Sequence, residues 1–475
     1  MRDQTAFKPS LSLLDATMMV SGSMIGSGIF IVSADIARSL GCSGYLLLTW
    51  ILSALLTTIA ALSYGELAGM MPKAGGQYVY LREAYNPLLG FLFGWTQFTV
   101  IQTGAIAAVA VAFAKFTAVF FPFFSPDNIL LNLGFLKISA AQVLAISSLV
   151  ILTLWHTRGI EGGKTVQTIF TSAKLIALFG LILLGFLIGF KGDVWSQNWT
   201  NAWMPGTLAE GGQFTALTGL AIATALGAAM VGSLFSSDAW NNVTFIAGEI
   251  KNPKHNIPLS LFFGTLIVGL IYVITNIVFL GVLPLHDIAF AANDRVGTAA
   301  AGAIFGNSAV FLMAGLIMLS TFGCNNGLTL SGARLCYAMA KDGLFLRKAA
   351  ELNTKGVPAW ALYMQLIWAS VLCLSGTYGA LLDYTIFAAL LFYVLTVAGI
   401  FRLRRLKPDA ERPYKAFGYP IIPALYIICA SAIALVLLIY KSNNTIPGLV
   451  IVLLGIPVYY FTNKQRARVE GMEHR

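Results

Sequence analysis

Two short stretches rich in Ser and Gly interrupt apolar segments of this chain. The first is SGSMIGSGIF, whose small residues are Ser21, Gly22, Ser23, Gly26, Ser27 and Gly28. Glycine and serine weaken a helix, because glycine loses much backbone entropy and serine competes for backbone hydrogen bonds. A helix break leaves main-chain N–H groups without helical partners, and such groups at a helix N-terminus bind anions. The spacing of Gly22 and Gly26 also fits helix packing, which does not explain Gly28 or the serines.

The second stretch is GSLFSSDAWNN, residues 232–242, where Ser236, Ser237 and Asp238 stand in a row. All three are weak helix formers, so a second break is expected just after Phe235. A helix that ends there offers free carbonyl oxygens, which favour a cationic group. A carboxylate inside an apolar segment is a functional candidate, so Asp238 is either a ligand-binding residue or the N-cap of the next helix.

Lys174 is a third candidate, because it lies inside the apolar segment FTSAKLIAL. A charge at the centre of a lipid-embedded helix costs about 2.5 to 3.5 kcal/mol on insertion scales, so Lys174 either snorkels or has a function. Glu66 lies nearer the end of its segment and is expected to pack or to form an ion pair, and not to carry protons. The His and Cys residues have no ligand spacing, so neither a metal site nor a cofactor nor a disulfide framework is predicted.

The composition indicates which elements carry these residues. Of the 475 residues, 57% are hydrophobic and 11% are charged, and the mean hydropathy is +0.78. Soluble domains carry about 25% charged residues, so lipid is the main solvent of this chain. Lipid offers the backbone no hydrogen bonds, which favours helices. We predict one transmembrane domain, residues 1–475. Its twelve spans begin at about residues 12, 44, 87, 138, 165, 213, 258, 301, 358, 380, 419 and 446.

The formal net charge of +10 comes from Lys and Arg residues in alternate loops. With the N-terminus in the cytoplasm, most of the 30 Lys and Arg residues lie on the cytoplasmic side. This is the positive-inside distribution, so we predict a multi-pass protein of the plasma or inner membrane with both termini cytoplasmic. The basic run FRLRRLKPDAERPYK fits a loop that faces the headgroups of the lipid bilayer without a protein partner, and nucleic acid binding is not predicted.

The two breaks fall in the first and sixth spans. If the first ten spans form two halves of five, these spans occupy corresponding positions, as they do in inverted-repeat transporters. The second half of span one then points a helix N-terminus at the midplane, and the first half of span six points a C-terminus there. Together the breaks predict a site for a zwitterion, such as the carboxylate and ammonium of an α-amino acid.

Nearly the whole chain resembles the amino acid, polyamine and organocation (APC) superfamily, and most of all its L-type amino acid transporter (LAT) branch. The resemblance rests on five strings that occur in order: GSMIGSGIF, SYGELAGMMPKAGGQYVYLREAY, FTSAKLIAL, LFSSDAWNN followed by AGEIKNPKHNIP, and STFGCNNG followed by ARLCYAMAKDG. It implies an all-α fold of LeuT type, a five-plus-five inverted repeat with helices 1 and 6 broken. Repeat one would cover about residues 12–190, repeat two about 213–402, and helices 11 and 12 about 419–462.

The resemblance also implies substrate-binding residues. They are Ile25, Gly26, Ser27, Gly28, Phe235, Ser236 and Asp238. In the family, the first four positions hold the substrate carboxylate, and main-chain carbonyls at the next two hold its ammonium. Phe235 matches the aromatic gate above the substrate. Relatives often have small or aromatic residues where Ser237 and Asp238 stand, so the resemblance does not indicate which substrate side chain is preferred.

Lys174 occupies the position where sodium-coupled relatives bind an ion. Its partners there would be the main chain near Gly22 and the hydroxyls of Ser320 and Thr321. The resemblance therefore implies that a fixed ammonium replaces sodium and couples substrate binding to opening.

The expected function is sodium-independent secondary transport of L-amino acids, foremost neutral ones, by alternating access, as exchange or coupled to protons. The alternative is a carrier of cationic amino acids or polyamines, with Asp238 as the counter-charge. A channel is a more remote alternative, and an enzyme is not expected because no nucleophile with a base is visible. The outer loop 122–137 has no Cys, so a disulfide-linked heavy chain is not expected.

Overall fold

The computed structural model describes residues 11–72, 75–133, 137–158, 163–375 and 378–473, and these are mostly helical. In chain order the α-helices are α1 (Leu13–Met24), α2 (Val32–Leu40), α3 (Ser43–Met70), α4 (Gly76–Ala84), α5 (Pro87–Thr96), α6 (Gln102–Thr117), α7 (Ala140–Thr157), α8 (Gly163–Leu184), α9 (Gly192–Trp199), α10 (Leu220–Ser236), α11 (Pro253–Val282), α12 (Leu285–Ala289), α13 (Val296–Phe305), α14 (Asn307–Lys341), α15 (Ala359–Ser375), α16 (Tyr378–Leu406), α17 (Ile421–Tyr440) and α18 (Ser442–Glu473). Two small antiparallel hairpins lie in loops: β1 (Ile129–Asn132) with β2 (Lys137–Ser139), and β3 (Gly206–Leu208) with β4 (Phe214–Ala216).

Among the described residues, nine helices are long and apolar enough to cross a membrane. A tenth is formed if Lys174–Gly189 and Gly192–Trp199, which meet at an angle of 102°, count as one bent span. The prediction of a polytopic helical membrane protein is confirmed. Two further apolar helices, Val296–Phe305 and Ala359–Ser375, are shorter.

Two groups of helices pack closely: α11 packs against α1 and α3, and α14 packs against α6 and α8. The span Pro87–Thr117, which contains α6, is 83% buried along its most apolar part, because other helices surround it. In contrast, the most apolar part of Ser442–Phe461 is 22% buried, so α18 lies at the edge of the helix assembly.

The chain is interrupted at both stretches rich in Ser and Gly. A capping box of Ser12 and Asp15 starts α1, which ends at Met24. A short 3₁₀ helix, Gly28–Phe30, then leads into α2. In the second stretch α10 ends at Ser236, and a 3₁₀ segment, Trp240–Glu249, follows. Both interruptions therefore start where helix-weakening residues accumulate in the sequence.

Glu66 is enclosed near the end of α3 and forms an ion pair, which is one of the two roles that were expected. Its two carboxylate oxygens accept hydrogen bonds from Arg404 Nε at 2.9 Å and Nη2 at 2.6 Å. Arg412 Nε lies 3.3 Å from the same carboxylate. Arg404 and Arg412 of the basic run thus pair with a carboxylate of the same chain, because a buried carboxylate needs a counter-charge.

Candidate functional site

The first interruption leaves main-chain donors without helical partners. The N–H group of Ile25 donates to the Ser21 carbonyl and closes α1. Within the described chain, no main-chain carbonyl accepts a hydrogen bond from the N–H groups of Ser27 or Gly28. Both residues are buried. An anionic group next to them can therefore use two main-chain donors that the fold does not use itself.

The two interruptions meet at Gly28 and Ser236. A Cβ atom on Gly28 would lie 2.0 Å from Ser236 Oγ and 2.8 Å from Ser236 Cβ. Both distances are far shorter than van der Waals contact, so this approach requires glycine. The Ser236 hydroxyl also donates to the Gly232 carbonyl at 2.8 Å. The end of α10 is therefore held against the break that follows α1.

Tyr272, on α11, joins the ends of the two interrupted helices. Its hydroxyl lies 2.9 Å from the Met24 carbonyl oxygen and 2.9 Å from the Ser236 carbonyl oxygen, and it can donate to one at a time. Tyr272 is 1% exposed. One hydroxyl is thus shared between the last carbonyls of α1 and α10, so movement of either helix end alters the other's hydrogen bonding.

Lys174 contacts the main chain where α1 ends. Its ammonium donates to the carbonyl oxygens of Gly22 and Ile25, the second at 3.1 Å. Lys174 is 3% exposed, so it does not snorkel. The carbonyl groups of a helix end carry partial negative charge, which compensates part of the cost of burying the ammonium.

Ser320 and Thr321 lie on α14, which packs against α8, but they are not hydrogen-bonded to Lys174. The Thr321 hydroxyl donates to the Met318 carbonyl of its own helix at 2.8 Å. Ser320 Oγ is buried and has no hydrogen-bond partner in the described part of the chain. Of the partners implied for Lys174, the main chain is hydrogen-bonded to the ammonium and the two hydroxyls are not.

Phe235 lies at the end of α10 and packs edge-to-face against Tyr378, with ring centroids 6.4 Å apart. Tyr378 is the first residue of α16, and its hydroxyl lies 3.3 Å from Ser27 Oγ. The phenol therefore touches both interruptions, one through its ring and the other through its hydroxyl. Sequence reasoning identified Phe235 and missed this partner.

Asp238 does not cap the 3₁₀ segment, so that interpretation is wrong. The N-cap is Ala239, which has a φ of 65° and no capping side chain. The Asp238 carboxylate instead accepts a hydrogen bond of 2.5 Å from the Tyr393 hydroxyl. A non-glycine residue with positive φ is strained, and such strain is concentrated at functional sites. The carboxylate is thus held by the Tyr393 hydroxyl of α16 and by the main chain of its neighbour Ala239.

Three tyrosines of the site, Tyr272, Tyr378 and Tyr393, were missed from the sequence. The sequence offers one indication: a buried phenol needs a hydrogen-bond partner, so a tyrosine in an apolar helix is a candidate for a contact with a polar group of the site. The chain has 17 tyrosines, so this signal does not select three of them. The described residues contain no group of His, Cys, Asp and Glu side chains that could hold a metal.

An ion cluster lies beside Tyr378. Asp294 binds Arg38 of α2 at 2.8 Å through Nη1 and Lys115 of α6 at 3.1 Å through Nζ. The Lys115 ammonium is also 5.5 Å from the centroid of the Tyr378 ring. The cluster therefore ties the second half of the interrupted first segment to α6 and to the aromatic pair.

Comparison with known proteins finds relatives along nearly the whole chain. The sequence matches the amino acid permease family over residues 11–461. It is 30% identical to the serine/threonine exchanger SteT of Bacillus subtilis over 468 residues, which cover 98% of this chain and 99% of that protein. It is 28% identical to the human b(0,+)-type amino acid transporter 1, covering 96% of this chain and 88% of the relative. The mouse Asc-type amino acid transporter 1 is 27% identical, with 96% and 82% covered. The chain belongs to the amino acid permease family, in the APC superfamily near the LAT branch, and is a transporter and not an enzyme.

Proposed function

We propose that the protein is a sodium-independent exchanger of neutral L-amino acids that works by alternating access. The observation that carries this proposal is the contact of Gly28 with Ser236. It sets the unused N–H groups of the first break beside the carbonyl end of α10. An anion-binding end and a cation-binding end side by side match the carboxylate and ammonium of one amino acid.

The proposed architecture has twelve membrane spans. Ten of them are the spans counted above, including the bent pair. The others are Leu13–Leu40, interrupted after Met24, and Ala359–Ser375. The first ten form a five-plus-five inverted repeat in which spans one and six are broken, and α17 and α18 lie outside it. The exposure of α18 supports its place outside the repeat.

Sodium independence rests on Lys174. Its ammonium sits on the carbonyl oxygens of Gly22 and Ile25, which are the kind of ligand that a bound sodium ion needs. A second cation at this position would meet strong like-charge repulsion. The fixed charge holds the end of α1 toward α8, and release of this contact accompanies opening of the site.

The test is counterflow in proteoliposomes that contain the purified chain. Vesicles loaded with an unlabelled neutral amino acid should accumulate the labelled one from outside, and replacement of sodium by choline should not change the rate. Dependence on sodium would contradict the assignment of Lys174. If an acid exterior drives uptake into vesicles that contain no amino acid, the mechanism is proton-coupled transport and not exchange. A flux that does not saturate with substrate concentration would indicate a channel.

A second candidate is transport of cationic amino acids or polyamines. The observation that favours it is Asp238, a carboxylate that is bonded to the Tyr393 hydroxyl and the Ala239 main chain and, among the described residues, to no cationic side chain. The name of the human b(0,+)-type relative also allows for cationic substrates. If this candidate is right, arginine or lysine will compete in counterflow, and Asp238→Asn will remove that competition while uptake of neutral amino acids remains.

The proposed setting is the cell membrane, with both termini in the cytoplasm and no disulfide-linked heavy chain. The loop at 122–137, where such a bridge would form, has no Cys. Transport by the purified chain alone would support this arrangement, and recovery of activity only with a second subunit would contradict it.

A further inference from the structure

The loop between α6 and α7 exposes a group of large apolar side chains. Their exposed fractions lie between 44% and 61%, and we call these six residues the apolar loop surface: Phe121, Phe123, Ile129, Leu130, Leu131 and Leu133. Apolar area in water is unfavourable in proportion to its size. A large exposed apolar patch therefore marks a place of contact with another protein or with a membrane.

Asn128 joins the two parts of this surface and ties them to a membrane span. Its side-chain amide donates to the Phe123 carbonyl at 2.8 Å, and its own carbonyl accepts a hydrogen bond from the Ala140 N–H at 2.9 Å. The 3₁₀ turn Pro122–Phe124 and the hairpin of β1 with β2 thus meet at the first residue of α7. The surface is therefore an ordered part of the fold, next to the end of a membrane helix.

Charged residues are scarce in this loop. Residues 118–139 contain two of them, Asp127 and Lys137. Asp127 lies in the turn between the two apolar parts, where its exposed carboxylate accepts a hydrogen bond from Ser125 Oγ at 3.0 Å. A carboxylate is costly to remove from water, so this turn marks the aqueous side of the loop.

The hairpin separates apolar and polar side chains onto two faces. Leu131 pairs with Ile138, and the next pair is Asn132 with Lys137. Paired residues share a face of the hairpin, and successive residues point to opposite faces. One face therefore carries the two apolar residues and the other carries the amide and the ammonium. Such a hairpin fits a boundary between an apolar medium and water.

The apolar loop surface begins beside side chains that face lipid. Phe120, the residue before it, packs against Phe311 of α14 with ring centroids 5.9 Å apart. Phe311 is 50% exposed and Leu312 is 67% exposed, and both belong to the apolar span Ser308–Lys341. Exposed apolar side chains of a membrane span are covered by lipid. The same lipid thus extends to the start of the loop.

We propose that the apolar loop surface is seated in the lipid bilayer, at the boundary between the headgroups and the acyl chains. An open two-stranded hairpin does not enter the hydrocarbon centre, because the N–H and C=O groups of its edges have no partners there. At the boundary, water and headgroups bind these groups while the apolar side chains leave water. The loop thereby anchors the adjoining ends of α6 and α7 to the membrane surface.

The test uses p-benzoylphenylalanine, a photoreactive amino acid that forms a bond with nearby C–H groups. It replaces Phe123 or Leu131 in the full chain, which is irradiated in cell membranes, purified and weighed as the intact protein. A mass increase of one phospholipid is expected. Its yield should equal that of the same probe at Leu312, which faces lipid. It should exceed the yield at Glu210, in the exposed turn between β3 and β4, at least about fivefold.

Two results would overturn the inference. Lipid yields at both loop positions as low as the yield at Glu210 would place the surface in water. Attachment of a second protein chain, whether another protein or a second copy of this one, would show that the surface is a protein interface and not a lipid contact.

A variant tests whether the apolar face of the hairpin holds the loop in lipid. With the probe at Phe123, Leu131→Asp should lower the lipid yield about fivefold, because an ionised carboxylate stays in water. The matched control is Thr215→Asp, at an exposed position of the other hairpin, and it should leave the yield unchanged. The probe at Leu312 should keep its yield in both variants if they are folded and inserted. An unaltered yield for Leu131→Asp at Phe123 would contradict the proposed role of this face.

Discussion

The glycines of the first interruption do different things, although they stand within seven residues of one another in the sequence. A Cβ atom on Gly22 would meet nothing within 4 Å, and one on Gly26 would make an ordinary contact of 3.6 Å with Cys324 Sγ. At Gly28 it would collide with Ser236. The sequence groups the three glycines together, but only at Gly28 does the absence of a side chain permit the contact between the two breaks.

Gly28→Val should therefore abolish substrate binding while the protein still folds. The added side chain cannot coexist with Ser236 at the present spacing, so the two breaks must separate, which spoils the shared site. Binding can be measured by ligand-induced thermal stabilisation of the purified protein. Gly22→Ala is the matched control, because its Cβ points into open space, and it should bind substrate like the wild type. Normal binding by Gly28→Val would place the carboxylate site elsewhere.

Lys174→Ala should lose most transport activity, whereas the exposed Lys191→Ala should retain it. Removal of the ammonium leaves the carbonyls of Gly22 and Ile25 without the partner that fixes the end of α1. A lost hydrogen bond to a charged group costs about 1.5 to 3 kcal/mol, which corresponds to more than tenfold in an equilibrium between conformations. Counterflow rates and size-exclusion profiles would be compared. Full activity of Lys174→Ala would show that its burial is only structural.

At the scale of elements, α10 and α16 meet the first interruption through one aromatic pair. Phe235 ends α10, Tyr378 starts α16, and the phenol reaches Ser27. Helix ends can change their direction more easily than helix centres, because fewer hydrogen bonds hold them. This pair is therefore placed where movement of either helix would change the contact between the two interruptions.

Phe235→Ala should lower the transport rate more than the equilibrium affinity, since the proposed job of the ring is to occlude the substrate. The initial rate of counterflow and the substrate Kd would be measured on the same preparation. Phe263→Ala on α11 removes a ring that is 42% exposed, and it should change neither quantity. An unaltered rate for Phe235→Ala would leave this ring a packing residue.

The ion cluster joins elements that are distant in sequence. Burial raises the pKa of Asp294, but Lys115 and Arg38 outweigh it, so the pKa of this carboxyl lies below its usual 3.8. A carboxylate whose pKa is depressed by folding stabilises the protein above its unfolded-state pKa. That contribution is lost as the pH falls through the folded-state value.

Asp294→Asn should lower the stability at neutral pH by about 1 to 3 kcal/mol, because two charge-assisted contacts are weakened. The difference from the wild type should be constant between roughly pH 5 and 8 and should shrink below about pH 4. Thermal unfolding in detergent across this pH range measures both effects. Asp287→Asn, in the same connection with a side chain 58% exposed, is the control and should have little effect. If the stability difference between Asp294→Asn and the wild type already vanishes near pH 6, ionisable groups other than Asp294 govern its pH dependence.

At the scale of the whole molecule, the charge distribution sets the orientation. The excess of Lys and Arg in alternate loops predicts that both termini are cytoplasmic. A cysteine placed at residue 470 should resist a membrane-impermeant maleimide in intact cells and react after permeabilisation. A cysteine at position 210, in the exposed turn between β3 and β4 on the other side, should react in both conditions. Labelling of position 470 from outside would overturn this orientation.

The sequence by itself determined the elements and the places where they are interrupted. Long apolar runs specify membrane helices because lipid leaves the backbone no other partners, and the serines and glycines around Gly28 and Ser236 weaken helices locally wherever they lie. It also pointed to Lys174, since a charge in an apolar helix is costly, and the resemblance made Phe235 the candidate for a gate.

Only the tertiary structure decided which groups meet. The contacts of Tyr272, Tyr378 and Tyr393 join residues far apart in the chain, as does the pairing of Glu66 with Arg404. The reason is physical: helix propensity and hydropathy act within a few residues, so they are written in local sequence. A buried polar group is satisfied by whichever partner the packing of several helices brings within hydrogen-bond distance, and no local pattern encodes that choice.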